Sequence, residues 1–257
     1  MRIEVIALFL LILGLFLINY PFLDSYVTLS IEPEREGVFV ARVVDGDTLK
    51  LDSGETIRLL GINTPERGER YYAEAKMFLQ LLVENKSIEL ERRGQDKYRR
   101  TLGHVFIDNK HVNVELVEKG FANVYVLEYE EYEPRLREAW ESCIIGNKLL
   151  CEQSQELCAS CIILDEFDYH DQKFTLKNQC VQSCDIGKWI VKEEGRKVFT
   201  LNSFILESES EVEIICSVGQ SNSKQIFLDK CESLWTATGD TLYLRDDFGK
   251  LVLWSNY

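Results

Sequence analysis

The stretch that decides the fold of this chain runs from residue 41 to residue 79 and reads ARVVDGDTLKLDSGETIRLLGINTPERGERYYAEAKMFL. The runs at 38–44, 48–51 and 56–62 are rich in strand-forming residues and are separated by Asp-Gly-Asp and Ser-Gly, which are typical turn residues. The segment 72–84 has apolar residues at helical spacing and is followed by Asn85, a helix stop signal. We therefore predict a three-stranded meander followed by a helix.

The residues that follow extend this pattern. SIELE and TLGHVFI have the composition of two further strands, and the second of them leads into a turn at 108–110. Shorter helical patterns follow at 112–119, which ends at Gly120, and at 133–141. A small β-barrel with helices packed on it accounts for this order of elements.

The predicted turns of this barrel carry polar residues with a shared chemistry. They are Asp45-Gly46-Asp47-Thr48, Arg58, Asn63-Thr64-Pro65-Glu66 and the run from Asp96 to Arg100. Carboxylate and carbonyl oxygens are ligands for a hard cation such as Ca²⁺, guanidinium groups bind phosphate oxygens, and a carboxylate can take a proton from water. Taken singly, these segments are most often a hairpin turn, a helix entry and a solvated basic loop. Together they suit phosphodiester hydrolysis.

The order and spacing of these segments resemble a known family. ARVVDGDTLKL, IRLLGINTPERGERYYAEAKMFL and DKYRRTLGHVFIDNKHVNVELVEKGFANV are similar, in register, to the staphylococcal nuclease (thermonuclease) domain over about residues 38–142. The resemblance implies an OB-fold barrel with packed helices. It also implies a Ca²⁺-dependent endonuclease that cleaves DNA or RNA, preferably single-stranded.

The same resemblance assigns roles to individual residues. The catalytic residues that it implies are Arg58, Glu66 and Arg100, with Glu66 as the general base and the two arginines on the phosphate. The Ca²⁺ ligands that it implies are Asp47, Asn63 and the backbone carbonyl of Thr64. Asn63 stands where the family commonly has a second aspartate, so it keeps an oxygen but no charge. We expect this change to weaken cation binding.

The C-terminal part has a different character. From about residue 156 to residue 257 the chain shows short alternating strands with turn residues every 8 to 12 positions, which favours a β-sandwich. FTLKNQC, DIGKWIVKEEGRKVFTL and GDTLYLRDDFGKLVLWSNY resemble the lamin-tail domain, which implies an immunoglobulin-like sandwich. This region offers no catalytic cluster, and we predict a binding or positioning role for it by analogy.

All eight cysteines follow residue 142 and divide the chain into a cysteine-free unit at 38–142, a linker at 143–155 and a cysteine-bearing unit at 156–257. We expect disulfides that stabilise the sandwich. The spacing Cys158-x2-Cys161 and Cys180-x3-Cys184 leaves open a four-thiolate zinc site, which would be the favoured reading in a cytosolic protein.

The N-terminus predicts the compartment. From Val5 to Ile18 the chain has no charged residue, a length between that of a secretory signal and that of a spanning helix. Residues 1–23 are therefore read as a removed signal peptide or an uncleaved transmembrane anchor, followed by an acidic linker at 24–37. Arg2 precedes the apolar run and acidic residues follow it, which places the body of the protein outside the cytoplasm. An uncleaved helix would make the membrane a partner.

Composition excludes several classes of protein. With 257 residues, 46% hydrophobic and 11% aromatic, the chain is neither disordered nor collagen-like. Its net charge of -14 means that any attraction to nucleic acid must be local. We therefore predict an extracytoplasmic nuclease whose oligomeric state the sequence does not specify. The alternatives are a catalytically weak or inactive nucleic-acid-binding barrel and a cell-surface adhesion module, neither of which needs Glu66 with its two arginines.

Overall fold

A computed structural model describes residues 9, 11, 13, 14, 34–126, 131–236 and 239–256 of the chain. Most of the predicted signal or anchor segment at 1–23 and most of the linker at 24–37 lie outside the described residues. No helix among the described residues is long and apolar enough to cross a membrane. The chain divides into two units, Met1–Glu36 and Gly37–Tyr257. The strands and helices described below lie in the second unit, apart from the first two residues of the first strand.

The first part of the larger unit is a closed five-stranded β-barrel. Its strands are β1 (Arg35–Asp45), β2 (Thr48–Leu51), β3 (Thr56–Leu59), β5 (Ser87–Gln95) and β6 (Thr101–Ile107). β1, β2 and β3 form the predicted antiparallel meander, β5 pairs with β1 and β6, and a parallel pairing of β3 with β6 closes the barrel. Two short ladders complete it. They involve β4 (Ile62–Asn63) with β8 (Asn123–Val124), and β7 (Lys110–His111) with β6.

Three helices pack on the barrel close to their predicted positions. They are α1 (Tyr72–Val83), α2 (Val112–Glu118) and α3 (Glu133–Ile145). α3 continues four residues beyond its predicted end at residue 141. The reason lies in its buried face, because Leu136, Ala139, Trp140 and Cys143 keep the helical spacing of apolar side chains to the last turn.

The second part of the larger unit contains two four-stranded sheets that share a buried core, and we call it the sandwich. One four-stranded sheet contains β9 (Ile162–Asp168), β10 (Lys173–Asn178), β15 (Glu211–Ile215) and β16 (Gln225–Phe227). The other contains β12 (Ile190–Lys192), β13 (Val198–Thr200), β17 (Thr241–Arg245) and β18 (Leu251–Asn256). A two-stranded ribbon of β11 (Cys184–Asp185) and β14 (Ile205–Leu206) lies beside them. Both sheets contribute to one buried core that includes Leu176, Trp189 and Leu242.

The eight cysteines form four disulfides, which are Cys143–Cys151, Cys158–Cys184, Cys161–Cys180 and Cys216–Cys231. The four candidate zinc ligands are thus paired with one another as disulfides. The first disulfide departs from the expectation that all of them stabilise the sandwich. Both of its cysteines are buried in the core that contains the barrel residues, and the predicted linker at 143–155 contains the end of α3 and a short 3-10 helix, Leu149–Cys151.

The barrel and the sandwich share part of their buried interior. The ring of Trp140 on α3 packs edge-on against Tyr243 and Trp254 of the sandwich, with ring centroids 5.3 and 6.3 Å away. The buried Arg245 donates a hydrogen bond to the carbonyl oxygen of Leu150 (2.7 Å). These contacts fix the sandwich against the barrel and bring sandwich loops within reach of the barrel's turns.

Candidate active site

The turn between β1 and β2 is held closely against the segment that follows β4. A Cβ atom added at Gly46 would lie 2.8 Å from Thr64 Oγ1 and 3.1 Å from the Cβ of Ala75, so this approach requires glycine. Asp45 accepts a hydrogen bond from the Tyr72 hydroxyl (2.6 Å) and thereby ties the turn to α1. The turn therefore places Asp47 next to Thr64.

Asp47 is buried and is the acceptor for three neighbours. Its Oδ2 accepts hydrogen bonds from the backbone N–H and the hydroxyl of Thr64 (3.2 and 3.0 Å), and its Oδ1 accepts one from Thr48 (2.9 Å). Oδ2 also lies 3.2 Å from Nη2 of Arg58 in an ion pair. The structure thus brings together the predicted residues Asp47, Thr64 and Arg58.

Arg58 is buried and lies between two of the predicted metal ligands. Its Nη2 also donates to Asn63 Oδ1 (3.0 Å), and its Nη1 donates to the carbonyl of Leu59. Burial lowers the pKa of Arg58, the Asp47 carboxylate opposes that shift, and the positive charges of Arg100 and Arg196 add to it. Arg58 therefore lies between Asp47 and Asn63 and within the electrostatic influence of Arg100 and Arg196.

The oxygen atoms around Arg58 suit a hard cation. Asp47 Oδ2 in the β1–β2 turn and Asn63 Oδ1 in β4 lie 3.2 and 3.0 Å from the same guanidinium nitrogen of Arg58. The two oxygens are therefore close together, and Arg58 would have to turn away for both to bind a cation. A carboxylate, an amide oxygen and a nearby backbone carbonyl are the donor types that Ca²⁺ takes. The residues present therefore fit such an ion.

Glu66 begins the segment that leads into α1 and is about half exposed. Its backbone N–H donates to Glu69 Oε2 (2.8 Å), which fixes the backbone at this residue. Its side-chain Oε1 lies 2.9 Å from Nε of Arg196 in the sandwich. The carboxylate is therefore oriented by a charged partner and remains accessible to water.

Arg100 is held by Asp96 at the other side of the β5–β6 turn. Asp96 Oδ2 accepts from Nε of Arg100 and pairs with its Nη2, both at 2.7 Å, and Oδ1 accepts from the backbone N–H groups of Tyr98 and Arg100. Burial alone would raise the pKa of Asp96, but the hydrogen bonds from Arg100 and Tyr98 lower it below its usual value. This ion pair orients the Arg100 guanidinium.

Sequence reasoning did not identify the loop between β12 and β13, residues 193–197, which we call the β12–β13 loop. The Nδ2 of Asn63 donates to the carbonyls of Gly195 (2.6 Å) and Glu194 (3.3 Å), and Arg196 pairs with Glu66. The run KEEGRK around a glycine marks an exposed hairpin in the sequence. No local pattern links it to a turn about 130 residues earlier.

Three tyrosines follow β8 in the sequence, at positions 125, 129 and 132. Tyr125 lies beside β4, where its backbone N–H donates to the carbonyl of Gly61 (2.9 Å), and burial raises its pKa. Tyr132 is buried and its hydroxyl donates to Glu91 (2.9 Å), so it belongs to the core. Tyr129 lies outside the described residues.

Comparisons with known proteins agree with this geometry. Residues 56–143 match the family described as staphylococcal nuclease homologue. A thermonuclease of Staphylococcus intermedius is 35% identical over 104 residues, or 36% of this chain and 62% of the relative. A thermonuclease of Staphylococcus hyicus is 31% identical over 113 residues, or 39% and 66%. An uncharacterized endonuclease of Haemophilus influenzae is 34% identical over 96 residues, or 36% and 54%. The chain thus spans about half to two thirds of the length of these relatives. The family match at 56–143 lies, apart from residue 143, within the part predicted to resemble that family.

Proposed function

We propose that this protein is a nuclease that hydrolyses the phosphodiester bonds of DNA or RNA, with its staphylococcal nuclease-like domain at residues 56–143 as the catalytic domain. The observation that carries the proposal is the cluster of Arg58, paired with Asp47, and Glu66, paired with Arg196. The positive charge of Arg100 contributes to lowering the pKa of the same Arg58 guanidinium. A solvent-accessible carboxylate paired with a guanidinium suits the attack of water on a phosphodiester, and further guanidinium groups suit the binding of its phosphate.

The residues of the cluster divide the chemistry among them. Glu66 takes the proton of the attacking water, since its carboxylate is about half exposed and oriented by an arginine. Arg58 and Arg100 bind phosphate oxygens and stabilise the negative charge that develops on them. Each of these two guanidiniums is oriented by an aspartate before substrate arrives.

The proposal includes Ca²⁺ as the cofactor. Asp47, Asn63 and the carbonyl of Thr64 would hold the ion, and when bound it would supply positive charge beside the phosphate. Asp47 is the one ionised residue of this set, so we expect weak binding with a dissociation constant on the order of 10⁻⁴ to 10⁻³ M, which suits extracellular levels.

We further propose that the protein acts outside the cytoplasm, secreted or anchored in the cell membrane by its N-terminal segment. Four disulfides are typical of an oxidising compartment and support this location. We propose a lamin-tail-like identity for the sandwich, and a preference for single strands, whose phosphates enter an open cluster more readily than those of a duplex.

Cleavage of labelled single-stranded DNA and RNA by the purified full chain tests the proposal, with Ca²⁺ or with a chelator. Glu66→Gln keeps the size of the side chain but removes its basicity, so we expect turnover to fall by roughly 10² or more. Glu74→Gln, an exposed change of the same type on α1, is the matched control. Cleavage by Glu66→Gln at the wild-type rate would contradict the assignment, and binding without cleavage by the wild-type protein would favour a nucleic-acid-binding barrel.

A further inference from the structure

The β12–β13 loop lies on the barrel at the proposed nuclease site, although it belongs to the sandwich. Its backbone carbonyls at Glu194 and Gly195 accept both hydrogen bonds from the Asn63 amide, and its Arg196 pairs with Glu66. Lys192 is the last residue of β12, directly before the loop, and its Nζ lies 3.5 Å from Glu69 Oε2. Contacts of the loop and of the residue before it therefore reach a proposed metal ligand, the proposed base and the residue that fixes the backbone of the base.

The loop is held in place by a buried carboxylate. Glu194 is 2% exposed, and its Oε2 accepts a hydrogen bond from the backbone N–H of Val126 (2.9 Å) at the edge of the barrel. Its Oε1 lies 3.4 Å from Nη2 of Arg137 on α3 and accepts a hydrogen bond from the Thr241 hydroxyl. Because these partners come from both the barrel and the sandwich, the loop is a fixed part of the site.

Three arginines from three parts of the fold contribute positive charge to this site. Arg58 and Arg100 come from the barrel, and the charge of Arg196 acts on Arg58 together with that of Arg100. Like charges repel each other, so an anion bound near all three would be stabilised. A guanidinium has five N–H donors, and the contact with Glu66 is an ion pair on the Nε side of Arg196, so the Nη groups can bind phosphate oxygens.

We propose that the β12–β13 loop completes the nuclease site and that Arg196 binds the phosphate backbone of the nucleic-acid strand next to Glu66. This inference rests on the proposed function and adds a substrate-binding residue supplied by the second domain. The catalytic domain therefore depends on the sandwich to hold its substrate.

The exposure of Glu66 and Arg196 favours a substrate-binding role for the loop over an inhibitory one. A loop that blocked the site would bury the base, yet the side chains of Glu66 and Arg196 are 46% and 59% exposed. The ion pair thus lies at the rim of the cluster, where a strand arriving from solvent reaches both groups. Asn63 fits the same picture, because only an amide can donate to the loop carbonyls and accept from Arg58 at once.

The test uses the full chain with Arg196→Ala, Arg196→Lys and, as a matched control, Arg42→Ala on the exposed face of β1. Two readouts are measured: kcat and KM for cleavage of a single-stranded oligonucleotide, and its Kd in chelator at several salt concentrations. We expect Arg196→Ala to raise KM and Kd about tenfold. It should also reduce the slope of log Kd against log salt concentration by about 0.7, the value for one lost phosphate contact on a single strand.

Arg196→Lys should keep most of the slope, because the charge remains, whereas Arg42→Ala should change neither readout. Circular dichroism checks that each variant is folded. A wild-type protein that neither binds nor cleaves nucleic acid would overturn the proposed function itself. Wild-type cleavage together with unchanged KM and salt slope in Arg196→Ala would overturn this inference alone. Faster cleavage by Arg196→Ala would also overturn it, since the ion pair would then be inhibitory.

Discussion

Asn63 uses both ends of its amide at a buried position. The oxygen accepts from Arg58 and the nitrogen donates to the carbonyls of Gly195 and Glu194, so one side chain connects the barrel site to the sandwich. An aspartate here would retain the contact with Arg58. It would also turn a carboxylate oxygen toward two carbonyl oxygens and leave them without a donor.

We therefore expect Asn63→Asp to lower the free energy of unfolding by about 1 to 3 kcal/mol in the presence of chelator. Urea unfolding measures this change, and Asn109→Asp in an exposed turn controls for the added negative charge. Ca²⁺ should restore part of the loss, because the new carboxylate is also a better cation ligand. Stability equal to that of wild type in chelator would show that the amide does not hold the loop.

The elements of the barrel were predictable because each depends on a local pattern. The alternation in 38–62 and the turn residues between its runs specify the meander, and the apolar spacing of α1 specifies the helix. The proximity of Asp47, Thr64 and Arg58 follows from the same meander, whereas their proposed roles rest on the resemblance to the staphylococcal nuclease domain. The docking of the β12–β13 loop on Asn63 was not, because it depends on how two domains pack rather than on any pattern along the chain.

The Cys143–Cys151 disulfide also differs from the prediction, because we expected the disulfides to stabilise the sandwich and this one lies in the core that contains the barrel residues. It closes the end of α3 in the core shared with the sandwich, so its loss should affect the whole larger unit and not the sandwich alone. Its sequence separation of 8 residues corresponds to about 2.5 kcal/mol in the chain-entropy model. We expect the double variant with alanine at both positions to lose about that free energy in urea unfolding.

A matched comparison is the Cys216–Cys231 disulfide, which lies in the sandwich core and has a separation of 15 residues. Its double alanine variant should lose about 3 kcal/mol in the same model. The location of the first disulfide would be contradicted if removing it left amide exchange in the barrel unchanged while accelerating exchange in the sandwich.

At the scale of the whole molecule, the chain combines a net charge of -14 with a local cluster of arginines. The cluster contains residues of both domains. Arg196 can pair with Glu66 only if the two domains keep their relative position to within the length of one side chain. The packing of Trp140 against Tyr243 and Trp254 fixes the relative position of the two domains. A flexible connection between domains would disperse the same residues.

Because the barrel and the sandwich share this interior, we expect residues 37–257 to unfold as one cooperative unit. The test compares two mild core changes, Ile57→Val in the barrel and Ile214→Val in the sandwich, at residues that are fully buried. Each should cost about 1 kcal/mol, which corresponds to roughly fivefold faster exchange of amides that open only by global unfolding. Hydrogen exchange should therefore show the same acceleration for the slowest amides of β5 and of β17 in both variants. Acceleration confined to the domain that carries the substitution would show that the two fold independently, and the active site would then lack the rigid support that the position of Arg196 requires.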